Sequence, residues 1–203
     1  MKKAIILLLT VLFIPVLSFT QTLENLEFVA PFNDDVAAIK KERQWGFINK
    51  QGDMVINFRN DLISSINNDG SYPVFYNNRC IIVKEKGGIS YFGYIDKTGK
   101  TVIEPQFLNA TNFINSKALA LELRKEEVGK NDVLNKNIVF YKYFEVTLDT
   151  NGNIINYLNP TGVNVVLDKK YLSKPPIITS KLISNSLATI KTNKKKLNII
   201  KLN

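Results

Sequence analysis

An all-β fold of repeated antiparallel hairpins is what this 203-residue sequence predicts, and three observations carry that reading. A four-residue turn motif recurs four times, as Asn49-Lys50-Gln51-Gly52, Asp96-Lys97-Thr98-Gly99, Asp149-Thr150-Asn151-Gly152 and Asn159-Pro160-Thr161-Gly162. The flanks of every copy are short runs of β-branched and aromatic residues, which favour strands over helices. A short apolar stretch with small residues, such as Val36-Ala37-Ala38-Ile39 or Cys80-Ile81-Ile82-Val83, precedes each of the first two copies.

Taken in order, the chain opens on Met1-Lys2-Lys3, an apolar stretch over residues 4–17, and small polar residues at Ser18 and Thr20. This is the pattern of a secretory signal peptide, residues 1–20, with cleavage before Gln21 or after Ser18. The apolar stretch is shorter than the roughly 20 residues of a membrane-spanning helix. The mature chain, residues 21–203, is then expected outside the cytoplasm as one β domain with no transmembrane segment: periplasmic, outer-membrane-associated or secreted.

Each turn has a physical reason. Asn or Asp at the first position caps the backbone through its side chain, proline suits the second, and glycine at the fourth accepts a left-handed conformation. That is the type I turn with a glycine bulge that joins hairpin strands. Phe47-Ile48 and Met54-Val55-Ile56 flank the first, Tyr94-Ile95 and Val102-Ile103 the second, Val146, Leu148 and Ile154-Ile155 the third. With Tyr157-Leu158 and Val163 around the fourth, a meander is expected over residues 143–167.

The stretch Gln44-Trp45-Gly46-Phe47-Ile48-Asn49-Lys50-Gln51-Gly52 resembles the signature of WG-repeat proteins, in which a Trp-Gly pair leads into a hairpin. Residues 91–107, Tyr91-Phe92-Gly93-Tyr94-Ile95-Asp96 onward, resemble the unit over its whole length. The resemblance is strong over residues 28–113 and degenerate over 114–203. Phe92 replaces tryptophan in the second unit and Glu145-Val146 replaces the pair in the third. Near the C-terminus Leu187-Ala188-Thr189-Ile190-Lys191 and Leu197-Asn198-Ile199-Ile200 repeat the order of residues 36–48, with Leu197 at the tryptophan position. The repeat-motif residues are thus Trp45, Gly46, Gly52, Phe92, Gly93, Gly99, Gly152 and Gly162, read as packing and turn residues rather than an aromatic ligand platform. The array is expected as a stack of hairpins or, with residues 36–48 contacting or pairing with 187–200, as a partly closed, barrel-like sheet.

Two stretches break the pattern. Turn glycines are 47 residues apart in the first interval and 53 in the second, which marks residues 124–132, polar and of mixed charge, as an inserted exposed loop or short helix. Residues 67–73 read as a turn. The oxygen-rich segments here and at Asp149 lack the ligand alternation of a calcium loop, and neither metal nor cofactor is expected.

Composition narrows the chemistry. The chain has no histidine and one cysteine, so the commonest general base, a disulfide and a multi-thiolate zinc site are all missing. Cys80 reads as a small core residue. What remains for catalysis is a carboxylate pair such as Asp96 and Glu104 in a hydrolase acting outside the cytoplasm, and neither residue shows a sign of convergence in a pocket. A membrane-spanning barrel needs longer strands than these.

Charge is placed unevenly. From Lys169 to the end there are nine lysines and no acids, whereas residues 21–168 hold 16 basic and 18 acidic side chains. Lys191, Lys194, Lys195, Lys196 and Lys201 are therefore the candidate binding residues, toward an acidic protein or an anionic envelope polymer. Nucleic acid fits poorly, because this segment has no arginine and only Tyr171 as an aromatic. The sequence points to a non-enzymatic exported repeat protein, a binding or structural module.

Overall fold

A computed structural model describes residues 23–67, 69–131, 135–192 and 196–203. The expected signal peptide, together with Lys194 and Lys195, lies outside these. The described residues form β-strands and no helix, and every ladder is antiparallel.

The first unit is a four-stranded sheet of β1 (Phe28–Val29), β2 (Val36–Lys41), β3 (Gln44–Asn49) and β4 (Met54–Arg59), in that order. A small hairpin of β5 (Ser65–Asn67) and β6 (Gly70–Tyr72) follows, where a turn was expected. The second unit is β7 (Cys80–Lys86), β8 (Ile89–Ile95) and β9 (Thr101–Phe107). The third holds β10 (Ala118–Asn131), β11 (Lys136–Leu148), β12 (Ile154–Tyr157) and β13 (Val163–Val165). The last is β14 (Lys181–Leu182), β15 (Leu187–Lys191) and β16 (Leu197–Lys201).

Chain leaving one unit covers the next. Residues 61–63 bond to β7 through Ile63 N–H to Ile81 C=O and Val83 N–H to Asp61 C=O, and residues 108–111 do the same along β10. The first strands of these units are apolar on both faces because both faces are buried. Cys80 and Ile82 join Phe47, Ile56 and Phe75 in a core between the first and second units. Ile81, their neighbour of opposite parity, joins Tyr94, Phe113, Ala120 and Val146 between the second and third. Leu119 then meets Leu158, Ala188 and Leu202 between the third and the last. Among the described residues no sheet closes on itself. The expected contact or pairing of residues 36–48 with 187–200 is not made among the described residues: there β15 and β16 pair only with β14 and each other, and the two ends share no apolar cluster.

The first three turns share one geometry. Gly52, Gly99 and Gly152 lie at φ +87°, +82° and +86°, and each donates its N–H to the carbonyl of the turn's first residue. The Asn49, Asp96 and Asp149 side chains accept the amides two and four residues on. Burial raises the Asp96 pKa, but the Thr98 hydroxyl and the amides of Thr98 and Lys100 outweigh it and hold the group below its ordinary value. Its stabilising share is present above the unfolded value of 3.8 and is lost as pH falls through the depressed folded one. Asp96→Asn is expected to keep the turn, since Asn49 makes the same contacts, and to flatten part of the acid loss. Denaturant midpoints at pH 7 and pH 3 check this; an unchanged pH dependence would contradict it.

Two expectations are corrected. The fourth turn does not join a hairpin: β12 and β13 both pair with β11, at Val146↔Tyr157 and Tyr143↔Val163, so they follow one another along the same edge. Gly162, at φ +64°, makes the break between them tight against the Phe144 ring. Residues 124–131 of the expected loop are strand, because the aromatic and β-branched run of β11 supplies a template for pairing from Ala118↔Leu148 to Asn131↔Lys136. Diagonal pairs such as Lys142 with Glu126, 2.9 Å, use the mixed charge. The remaining residue, 132, lies outside the described ones.

Candidate functional site

The glycine of the Trp-Gly pair answers to the strand beside it. Between Trp45↔Arg59 and Phe47↔Ile56, two residues of β4, Asn57 and Phe58, stand opposite Gly46 alone. Between Phe92↔Phe107 and Tyr94↔Ile103, three residues, Glu104, Pro105 and Gln106, stand opposite Gly93. The bulged backbone fills the space of a side chain: a Cβ on Gly46 would lie 2.9 Å from the Ile56 carbonyl oxygen, and one on Gly93 2.3 Å from that of Ile103. In the third unit the position is Val146, and its partner strand runs without a bulge there, through Val146↔Tyr157 and Thr147↔Asn156. Glycine and bulge occur together or not at all.

The aromatic of the pair faces the core. Trp45 is half-buried, edge-on to Phe28 at 5.9 Å between ring centres, with the Lys40 ammonium 5.9 Å from its ring. Phe92 is buried among Tyr94, Phe107 and Phe113. Gly99 packs on Ile56 and Gly152 on Ile103, so each turn leans on the preceding unit. Arg59, paired with Asp61, donates to the Gly99 carbonyl at 3.0 Å, and Arg79 donates to that of Thr150 at 2.7 Å.

In the third unit the tryptophan position is Glu145, a buried acid the sequence reading left without a role. Its Oε1 accepts the Thr179 amide, 2.9 Å, and hydroxyl, 2.8 Å; its Oε2 accepts the Ser180 amide, 2.9 Å, and hydroxyl. The side chain pins the segment leading into β14 onto β11. It lines a cleft of about 440 Å³ shared with Asn159, Ser180, Ile190 and Lys191. The signal that finds it is an acid at a position where the first two units carry an aromatic ring.

The candidate lysines are spread over the last unit. Lys191 ends β15 beside that cleft, Lys196 opens the way into β16, and Lys201 lies on β16 opposite Leu187; all three are exposed. Lys169, Lys170, Lys174 and Lys181 are exposed too, and among the described residues none of the seven makes an ion pair. Leu197 and Ile199, on β16 beside Lys191, Lys196 and Lys201, are 65% and 66% exposed. Asp96 and Glu104 do not converge: the first sits in its turn, the second is exposed on the β9 bulge. Burial in the first core pushes the Cys80 thiol pKa up, as befits a core residue.

Residues 45–87 and 92–122, the segments that hold both glycine-and-bulge pairs, match the family model described as WG containing repeat. These two segments are WG repeats. No curated protein and no solved structure matches the chain. In WG-repeat terms, the first two units carry the motif and the later two keep the strand pairing while losing the glycine.

Proposed function

We propose that this chain is an exported, non-enzymatic WG-repeat module, an open stack of β units whose last unit binds an acidic protein or an anionic envelope polymer. The observation that carries the reading is the set of seven exposed lysines without an ion pair among the described residues, of which Lys191, Lys196 and Lys201 flank the uncovered Leu197 and Ile199. Earlier in the chain, acids are interspersed with the basic side chains and pair with some of them, as at Lys40 with Glu27, Arg59 with Asp61 and Lys142 with Glu126. Lysines on the last unit have no acid within their own 35 residues to neutralise them, so their field reaches outward.

Export rests on the leader-like residues 1–20. The turn carboxyl of Asp96 is committed to backbone amides, which supports a structural role for it over acid–base chemistry.

Affinity capture with residues 21–203 from the envelope extract of the producing cell tests the reading. Binding is expected to weaken between low and high salt, as for any contact of exposed charges. It is expected to be lost on combining Lys191→Glu, Lys196→Glu and Lys201→Glu. A partner retained at full strength by the charge-reversed protein would contradict the assignment.

A further inference from the structure

The hairpin registers align the four units on one another. Ile39↔Gly46, Ile82↔Gly93, Ala120↔Val146 and Ile190↔Asn198 are the same pair, so Ile199 corresponds to Phe47, Tyr94 and Thr147. Those three are buried, whereas Ile199 is 66% exposed. In each earlier unit the second hairpin strand has a partner on both edges: β3 has β2 and β4, β8 has β7 and β9, β11 has β10 and β12. Among the described residues β16 has β15 alone.

The hydrogen-bonding direction of that open edge follows from its neighbours. Thr192 N–H donates to Lys196 C=O and Leu202 N–H to Ser186 C=O. By alternation, Asn198 and Ile200 turn their backbone groups toward β15, and Leu197, Ile199 and Lys201 turn theirs outward. An apolar edge strand with free donors and acceptors is a template for another strand.

We propose that the outer edge of β16 receives a β-strand from an acidic partner protein, a strand with apolar residues beside Leu197 and Ile199 and acidic residues toward Lys191, Lys196 and Lys201. This rests on the reading of the basic last unit as a binding surface. Two features select the occupant. Asn198 stands where Gly46 and Gly93 stand, and its Cβ leaves no room for a bulged strand like β4 or β9; a regular strand, as β12 is opposite Val146, fits. A second copy of this chain paired edge to edge would bring the Lys196 and Lys201 of both copies onto one ribbon, which like-charge repulsion disfavours.

The test uses the chain from residue 21 and a synthetic nonapeptide with a valine-rich centre between glutamate-rich ends. Binding is expected, with slowed hydrogen exchange at the amides of Leu197, Ile199 and Lys201. Ile199→Pro removes an outward N–H and leaves the β15 ladder, so it is expected to weaken binding at least tenfold while circular dichroism stays unchanged. The same peptide N-methylated on alternate amides gives the parallel result without any change to the protein, since it loses the edge-facing donors. Binding that survives both changes would overturn strand addition and leave the basic-surface reading standing. No binding of the peptide would also overturn strand addition, with the extract capture deciding the broader reading by itself. A dimer of the free protein that Ile199→Pro dissolves would replace the acidic partner with a second copy.

Discussion

Gly93→Ala is expected to destabilise the protein by on the order of 3 kcal/mol or more, enough to threaten the fold of a domain of ordinary stability. The added methyl meets three backbone atoms, Ile103 O at 2.3 Å, Pro105 N at 2.6 Å and Glu104 C at 2.8 Å. Backbone held in a ladder on both sides of a bulge has no rotamer through which to withdraw. Gly46→Ala meets the Ile56 carbonyl oxygen at 2.9 Å and should cost less. Gly129→Ala, on β10 with nothing within 4 Å of its Cβ, is the control and should stay within about 0.5 kcal/mol. Denaturant unfolding of the three variants checks the ranking. Equal effects at Gly93 and Gly129 would remove the argument that the motif glycine exists for the bulge.

The second large effect is expected at Glu145. Replacing it with alanine leaves the Thr179 and Ser180 amides and hydroxyls without their acceptor, and the Ser180 group is buried. Unmet donors of this kind cost about 3 kcal/mol together. Glu145→Gln keeps one accepting oxygen and should lose about half of that. Because the contact ties the segment before β14 to β11, the loss should fall first on the last unit. Faster amide exchange in β15 with little change in β7 would show it. A uniform loss across all units would contradict the pinning role, and a change under about 0.5 kcal/mol would contradict the stated hydrogen bonding.

Much of this was legible in the residues. The turns at Asn49, Asp96 and Asp149 are encoded in four residues each, because capping by the first side chain and positive φ at the glycine are local requirements. Strands at residues 36–40 and 80–84 were legible for the same reason, as runs too apolar to have an exposed face. The long β10/β11 hairpin was not, since residues 124–131 become strand through pairing with a partner whose register is a tertiary fact. Nor was the break at Gly162, which depends on the Phe144 ring beneath it. Glu145 looked like a lapse in the motif, and only its neighbours across 34 and 35 positions in sequence give it a role. The lysines were visible as a run of charge, whereas the edge they surround appears only when the units are aligned by register.

The central claim is that, among the described residues, the outer edge of β16 is open and basic. Residue-resolved amide hydrogen exchange of the free protein tests it most directly. The account predicts alternation along the strand, with Asn198 and Ile200 protected by β15 and with Leu197, Ile199 and Lys201 exchanging near the rate of an unstructured chain. Equal protection at all five amides would mean that the edge is already covered, and would contradict the claim.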